Sequence, residues 1–231
     1  MPLSVETLAF PQLTTRRHSL LRAVTALAGD EAATVRALKL GRTQLGEVAR
    51  NAAVASSPTT PVIDRYTGVL YDALAAGTLS ADARGFAGRH LLVHSALLGP
   101  VGGLDLVPAY RLSHDSRVPG FALKKHWAAD ATAALGTVPG LLLDLRSEGY
   151  RDLGPVAGQP GRYFLRVVTE TSAGQTRALN HFNKKAKGEF TRSLLEAGVD
   201  FDTVDDLLGW AAGAGLVLRP GAPGELELVV T

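Results

Sequence analysis

Short apolar runs of strand character alternate along this chain with stretches of helical periodicity, and that interleaving limits the fold more than any other feature. The strand-like runs are 90-HLLVHSAL-97, 140-GLLLDLR-146, 162-RYFLRVVTE-170, 176-TRALNHF-182 and the closing 215-GLVLRPGAPGELELVV-230. Helical spacing predicts helices over 16–28, 30–39, 43–55, 123–135, 184–197 and 203–214, with Asp30 and Thr43 as candidate caps. After the break 56-SSPTTP-61, the segment 62-VIDRYTGVLYDAL-74 reads as a short helix followed by a turn. The glycines of 99-GPVGG-103 read as a turn and 108-PAYRLS-113 as a short extended piece. The segment 171-TSAGQ-175 joins the two runs beside it into a hairpin, and 215–230 folds back as another. Strands of differing direction among helices imply an α+β fold of mixed α/β character. The expectation is one compact domain over residues 1–231, with a mixed sheet, peripheral helices and a helix-hairpin-helix element within 30–55.

At 231 residues and 46% hydrophobic content the chain can bury a core unaided. It has no cysteine, which excludes disulfides, iron–sulfur clusters and thiolate zinc sites, and a cytoplasmic setting is the simplest expectation. The run 15-TRRHSLLRAVTALAGD-30 has a twin-arginine look, but Arg22 interrupts its apolar stretch and the spacing suits an amphipathic helix better. Charge is distributed unevenly. Residues 110–192 carry 13 Lys/Arg and 7 Asp/Glu, whereas residues 193–231 carry 1 and 7. A basic middle of this kind suits a polyanion, and ordinary charge scatter is the plainer alternative.

Two constellations point to anion binding. In 34-TVRALKLGRTQLGEVARNAAV-54 the turn Lys39-Leu40-Gly41-Arg42 separates two helical stretches, the layout of a helix-hairpin-helix. A glycine there lets backbone N–H groups approach a phosphate, with Arg42 as the cation and Lys39 and Arg50 beside it. An αα-corner packed on the core is the structural alternative. In 180-NHFNKKAKGEF-190, lysines open a predicted helix at the end where the helix dipole disfavours cations. If the helix begins near Asn183, then Ala186, Phe190, Leu194 and Ala197 form its buried stripe, and Lys184, Lys185, Lys187 and Arg192 fall outside. A phosphate at the helix end would satisfy both the free amides and the ammonium groups. Solvated lysines are the bland reading.

Other patterns carry less. His90 and His94 have the spacing of helical metal ligands, but they sit in strand-like sequence and lack a zincin glutamate, so a core histidine is the better reading. The 99–103 glycines match no nucleotide-binding loop, and no nucleophile elbow is present. Asp202, Asp205 and Asp206 suit a helix N-terminus. Asp144, Arg146, Ser147 and Glu148 follow a buried strand, where α/β proteins often place sites.

Together, 62-VIDRYTGVLYDAL-74, 95-SALLGPVGGLDLVPAYRLS-113, 143-LDLRSEGY-150 and 181-HFNKKAKGEF-190 resemble the peroxide stress protein YaaA family, over about residues 30–195. The resemblance implies a positively charged cleft with a helix-hairpin-helix, binding to duplex or branched DNA, and a role in limiting iron-driven oxidative damage. The positions carried over are Gly68, Tyr71, Ser95, Gly99, Asp105, Tyr110, Arg111, Ser147, Tyr150, Lys184, Lys185, Lys187 and Gly188. Lys187 stands where the family more often has arginine, and 99-GPVGG-103 lacks the family's arginine. The chain begins at MPLSVETLAF without the family's usual opening strand, which leads us to expect a displaced start.

The expected function is therefore a cytoplasmic DNA-binding protein of the peroxide stress response, gripping phosphate through Lys184, Lys185, Lys187, Gly188, Arg111, Tyr110, Lys39, Gly41, Arg42 and Arg50. Binding is expected to be sequence-tolerant and salt-sensitive. A monomer with no cofactor, no metal and no membrane contact is expected. The alternative is an enzyme acting on a small phosphorylated metabolite or nucleotide at the same cations, with Tyr71, Ser95, Asp105, Ser147 and Tyr150 lining a pocket. A scaffold using the acidic C-terminal section is a third reading.

Overall fold

A computed structural model describes residues 1–156, 158–170, 176–177 and 180–230, with side chains for all of these except 170, 176–177 and 180–182. Helices and strands are interleaved as expected for a mixed α/β chain. The helices are α1 (Thr14–Leu27), α2 (Glu31–Leu38), α3 (Gly46–Ala52), α4 (Val62–Arg65), α5 (Val69–Leu74), α6 (Ala81–His90), α7 (Leu123–Gly136), α8 (Glu148–Arg151), α9 (Asn180–Ala197) and α10 (Val204–Gly213). The strands are β1 (Thr59–Pro61), β2 (Leu92–Ser95), β3 (Gly99–Gly102), β4 (Leu106–Pro108), β5 (Leu142–Asp144), β6 (Arg162–Glu170), β7 (Thr176–Arg177), β8 (Val217–Pro220) and β9 (Glu225–Val230). The turn expected at 171–175 lies outside the described residues.

The chain forms two compact units, each drawn from three segments. The first comprises Met1–Arg65, Gly88–Thr137 and Arg146–Pro155; the second comprises Tyr66–Ala87, Val138–Leu145 and Val156–Thr231. Charge divides with them. The first unit holds 15 Lys/Arg against 10 Asp/Glu and the second 9 against 12, so a polyanion has more to gain from the first.

In the first unit two small antiparallel ladders, β1 with β4 and β2 with β3, pack among helices. The glycine run expected as a turn is strand β3. It pairs with β2 from Leu92↔Gly102 to Ser95↔Gly99, and Ala96-Leu97-Leu98 makes the reversal. Gly99 has φ +69, and a side chain there would meet the fully buried Trp127 ring at 2.9 Å, so both conformation and space require glycine. Trp127 donates its indole N–H to the Ala96 carbonyl at 2.9 Å. Arg17, on the segment with the twin-arginine look, is completely buried. Its guanidinium donates to the carbonyls of Leu98 (2.9 Å), Ala9 (2.6 Å) and Pro100 (3.0 Å), bolting α1 to the β2–β3 reversal. Burial pushes its pKa down to about 10, and Asp105 opposes that shift, so the group remains charged at neutral pH.

His126 on α7 stacks edge-on against Trp127 at 4.7 Å and Phe121 at 5.2 Å, and burial lowers its pKa below the ordinary 6.5. An unfolded chain takes up this proton near pH 6.5, while the folded chain does so only at lower pH. The folded state therefore binds fewer protons in that window and loses stability as pH falls through it. Replacing His126 with Phe is expected to flatten the stability profile below pH 6.5 in chemical denaturation; an unchanged slope would contradict this origin.

In the second unit a five-stranded sheet runs β5-β6-β9-β8, with β7 on β6. The long β6 lies parallel to β5 and to β9, and β8 returns antiparallel to β9, as the closing hairpin expectation requires. Leu165 and Val167 of β6, Leu226 and Leu228 of β9, Phe190 of α9 and Leu207 and Ala211 of α10 form its core. Helix α10 starts with a capping box between Thr203 and Asp206, which accounts for the acidic start of that helix.

Candidate nucleic-acid interface

The α2–α3 pair of the first unit lies where the sequence places it. Asp30 caps α2 by accepting the Ala33 N–H at 2.9 Å. The helix ends on Lys39, at φ 54, ψ 46, and the Leu40 N–H reaches back to the Val35 carbonyl at 3.0 Å. The left-handed residue of this turn is therefore Lys39 and not Gly41, which is extended at φ −78, ψ 167. Residues Arg42–Gln44 form a single 3-10 turn, and the Gln44 side chain accepts the Gly41 N–H at 3.0 Å. Thr43 lies inside that turn and caps nothing, so α3 begins at Gly46 and is shorter than the 43–55 expectation.

The sequence did not foretell the loop that completes this surface. Residues 109–118 are irregular, yet they are tied down along their length. Ser95, nearly fully buried, accepts the N–H groups of Leu97 and Leu98 at 3.1 and 2.8 Å, and its hydroxyl lies 2.6 Å from that of Tyr110. With both acceptor sites of Ser95 engaged, its one proton goes to Tyr110. Asn51 of α3, 1% exposed, clamps the next residue from both sides. It donates to the Arg111 carbonyl at 2.8 Å and accepts the Arg111 N–H at 2.7 Å. Further along, the Arg117 N–H donates to the Ala37 carbonyl of α2 at 2.9 Å. Leu112, Ser116 and Val118 are buried between these ties. Asp115 and Arg117 are exposed and Arg111 is half-exposed.

Two sequence-predicted cations of this face are already paired. The Lys39 ammonium sits 2.5 Å from the Asp115 carboxylate, which also accepts from the Ser113 hydroxyl. Lys39 and Ser113 together hold that carboxyl well below the usual range. Arg50 pairs with Glu47 at 2.7 Å, one turn back on α3. Among the described residues, the side chains of Arg36, Arg42, Arg111 and Arg117 make no hydrogen bond or ion pair, so four guanidinium groups on this laced assembly are open to a ligand. Arg36 and Arg117 escaped sequence reasoning. The alternation of buried and exposed residues across 111-RLSHDSRV-118 is the signal that points to Arg117.

The other residues singled out in this unit serve structure. Asp105 accepts the N–H groups of Gly102 and Ala9, both at 2.8 Å, and so fixes the loop after β3. Ser147 precedes α8, where its carbonyl accepts from Tyr150 and Arg151, and the Tyr150 ring meets His114 edge-on at 5.0 Å. His94 on β2 is buried. Its Nδ1 lies 2.7 Å from an Arg146 N–H, a group that can only donate, so His94 Nδ1 is an acceptor. His90 ends α6 instead of opening a strand. Among the described residues no cluster of three or more His, Asp or Glu is placed to hold a metal.

The lysine segment belongs to the second unit and differs from expectation. Helix α9 begins at Asn180, so Lys184, Lys185 and Lys187 lie past its first turn, beyond the four N–H groups that a helix start leaves open. Lys184 and Lys185 are exposed, and Lys185 pairs with Glu189 at 3.3 Å. Lys187 is 8% exposed, inside the buried face, with its ammonium 4.8 Å over the Phe164 ring. Ala197, expected in the buried stripe, is exposed. Gly188 is a packing residue: a side chain there would come within 2.2 Å of the Leu70 carbonyl oxygen of α5. Tyr71 stacks on Tyr66 at 5.4 Å. Arg192 donates to the Leu74 carbonyl at 3.0 Å and the Thr78 hydroxyl at 2.8 Å, closing the end of α5. Two hollows, of about 480 and 570 Å³, are lined by Leu3, Glu6, His18 and Arg22 among others, and by Asp200, Phe201, Asp205 and Trp210 among others. None of the sequence-predicted anion residues lines either one.

Comparison with known proteins agrees with the resemblance. Residues 2–219 match the family described as peroxide stress protein YaaA. A UPF0246 protein of Corynebacterium efficiens is 37% identical over 236 residues, covering 99% of this chain and 93% of the relative. A UPF0246 protein of Streptomyces coelicolor is 36% identical over 243 residues, covering 99% and 92%. One from Lactobacillus delbrueckii is 30% identical over 182 residues, covering 77% and 73%.

Proposed function

The chain belongs to the peroxide stress protein YaaA family, which supports a role in peroxide stress, and on that premise we propose that it acts by binding DNA through phosphate contacts in the cytoplasm. In this reading the α2–α3 pair serves as the helix-hairpin-helix, and DNA is gripped by Arg42, Arg111, Arg36 and Arg117, with Lys184 as a further contact. Occupying the duplex limits iron-driven oxidative damage to it. The observation that carries the reading is the double clamp of Asn51 on Arg111. A nearly fully buried amide fixes the backbone of a cation, and leaving those backbone groups unsatisfied would cost about 1–3 kcal/mol. The contacts are to guanidinium groups on a face with no developed pocket lined by them, which suits a sequence-tolerant grip on backbone phosphate better than recognition of one small molecule. With no cysteine in the chain, the role does not run through a thiol.

A second reading keeps one specific support. Lys187 is buried over Phe164, whose partner across the parallel β5–β6 pair is Asp144, the last residue of β5. Strand ends of this kind often carry sites, and an enzyme acting on a small phosphorylated metabolite or nucleotide would use that charge. Equilibrium binding separates the two. DNA affinity lost on charge reversal at Arg42 and Arg111 supports the first, and nucleotide binding that is insensitive to those changes supports the second. Among the described residues no helix is long and apolar enough to cross a membrane.

A further inference from the structure

We propose that Lys39 and Ser113 form a phosphate subsite in which Asp115 is an internal stand-in for the phosphate, displaced when DNA binds. The proposal rests on the DNA-binding reading above. Its basis is the set of groups on one carboxylate. Asp115 takes an ammonium at 2.5 Å from Lys39 and a hydroxyl proton from Ser113, the donor pair that also suits a phosphodiester oxygen. The subsite lies among the open cations. Lys39 is one residue from α2 and three from Arg42, and Asp115 is two from Arg117, whose backbone is bound to α2.

The loop is shaped to present the carboxylate. The Ser113 N–H donates to the Ser116 hydroxyl at 3.0 Å, the Ser116 N–H returns to the Ser113 carbonyl at 3.0 Å, and Ser116 itself is buried. Asp115 therefore projects from a closed turn directly onto Lys39. Its side chain is 48% exposed and that of Lys39 is 55% exposed, so the pair is open to competitors. An exposed pair of this type holds by a factor of at most about five, small enough for a polyanion to break. The consequence is that the free protein shows DNA one cation fewer than its sequence contains, and that Asp115 sets how many phosphates this face engages.

A double-mutant cycle tests this, with a short fluorescent duplex as the probe and anisotropy read across a salt series. Asp115→Asn is expected to tighten binding by up to about fivefold and to steepen the slope of log affinity against log salt by about 0.9, one more phosphate contact. Adding Lys39→Ala to that variant is expected to remove both gains. Gains that persist after Lys39 is removed would mean that only net charge had changed, and would overturn the subsite. An absent gain from Asp115→Asn, in a protein whose binding is weakened by Arg42→Glu with Arg111→Glu, would overturn the subsite while leaving the DNA reading intact. DNA binding that is insensitive to Arg42→Glu with Arg111→Glu would overturn both.

Discussion

Replacing Arg42 and Arg111 together with glutamate lowers affinity for duplex DNA by about one to two orders of magnitude at low salt, and makes the affinity less sensitive to salt. Each cation that neutralises a phosphate contributes about 0.9 to the slope of log affinity against log salt, so loss of two contacts flattens it by about 1.8. Reversal adds repulsion to the loss of attraction. The change should be uniform across duplex sequences, since these groups are assigned to backbone and not to base edges. Both side chains are free of protein partners, so their removal breaks no internal bond and the fold should be unaffected. Circular dichroism and thermal unfolding check that, and anisotropy measures the binding. Reversal at Lys187 would not serve the same purpose, because that lysine is buried over Phe164 and its loss acts on stability.

The second large effect is on the fold. Gly188→Ala would ordinarily stabilise a helix by about 1 kcal/mol, because alanine loses less backbone freedom than glycine. Here the added carbon would lie 2.2 Å from the Leu70 carbonyl oxygen and 2.8 Å from the Ala73 side chain, against the backbone of α5. Backbone cannot rotate aside as a flexible side chain can, so α5 and α9 must separate. Overpacking of this kind costs about 1–3 kcal/mol and occasionally more. The clash should outweigh the propensity gain, leaving a net loss of about 2 kcal/mol and a melting temperature about 4–8 °C lower. Larger residues should do worse. A melting temperature equal to or above that of the unmodified protein would contradict the close approach.

Much of the fold can be read from the chain, for local reasons. Helix α7 and the Thr203–Asp206 capped α10 carry their periodicity and cap in sequence, and the β8–β9 hairpin announces itself through Pro220, Gly221, Pro223 and Gly224. The errors have physical causes too. Helix α6 is hidden in an alanine- and glycine-rich stretch whose apolar face is only Ala83, Phe86 and Ala87. Strand β3 looks like a turn because its glycines are demanded by the packing of Trp127, not by chain reversal.

The site is legible in part. The α2–α3 cations follow from local pattern, and Arg111 follows from the family resemblance. The loop that carries Arg111 and Arg117 has no period to read, because Asn51, Ser95 and Ala37 hold it from distant parts of the sequence. The lysines of 184–187 looked misplaced at a helix start only because the start was set three residues late. Lys187 looked exposed because a lysine stem can lie in an apolar face while its ammonium rests on an aromatic ring.

The account stands most directly on the salt dependence of binding between the unmodified protein and a duplex of arbitrary sequence. Four open guanidinium groups, at Arg36, Arg42, Arg111 and Arg117, predict a slope of log affinity against log salt of about −3.6 or steeper. Binding that is absent at low salt, or that does not change as salt is raised, would contradict a phosphate grip by this face.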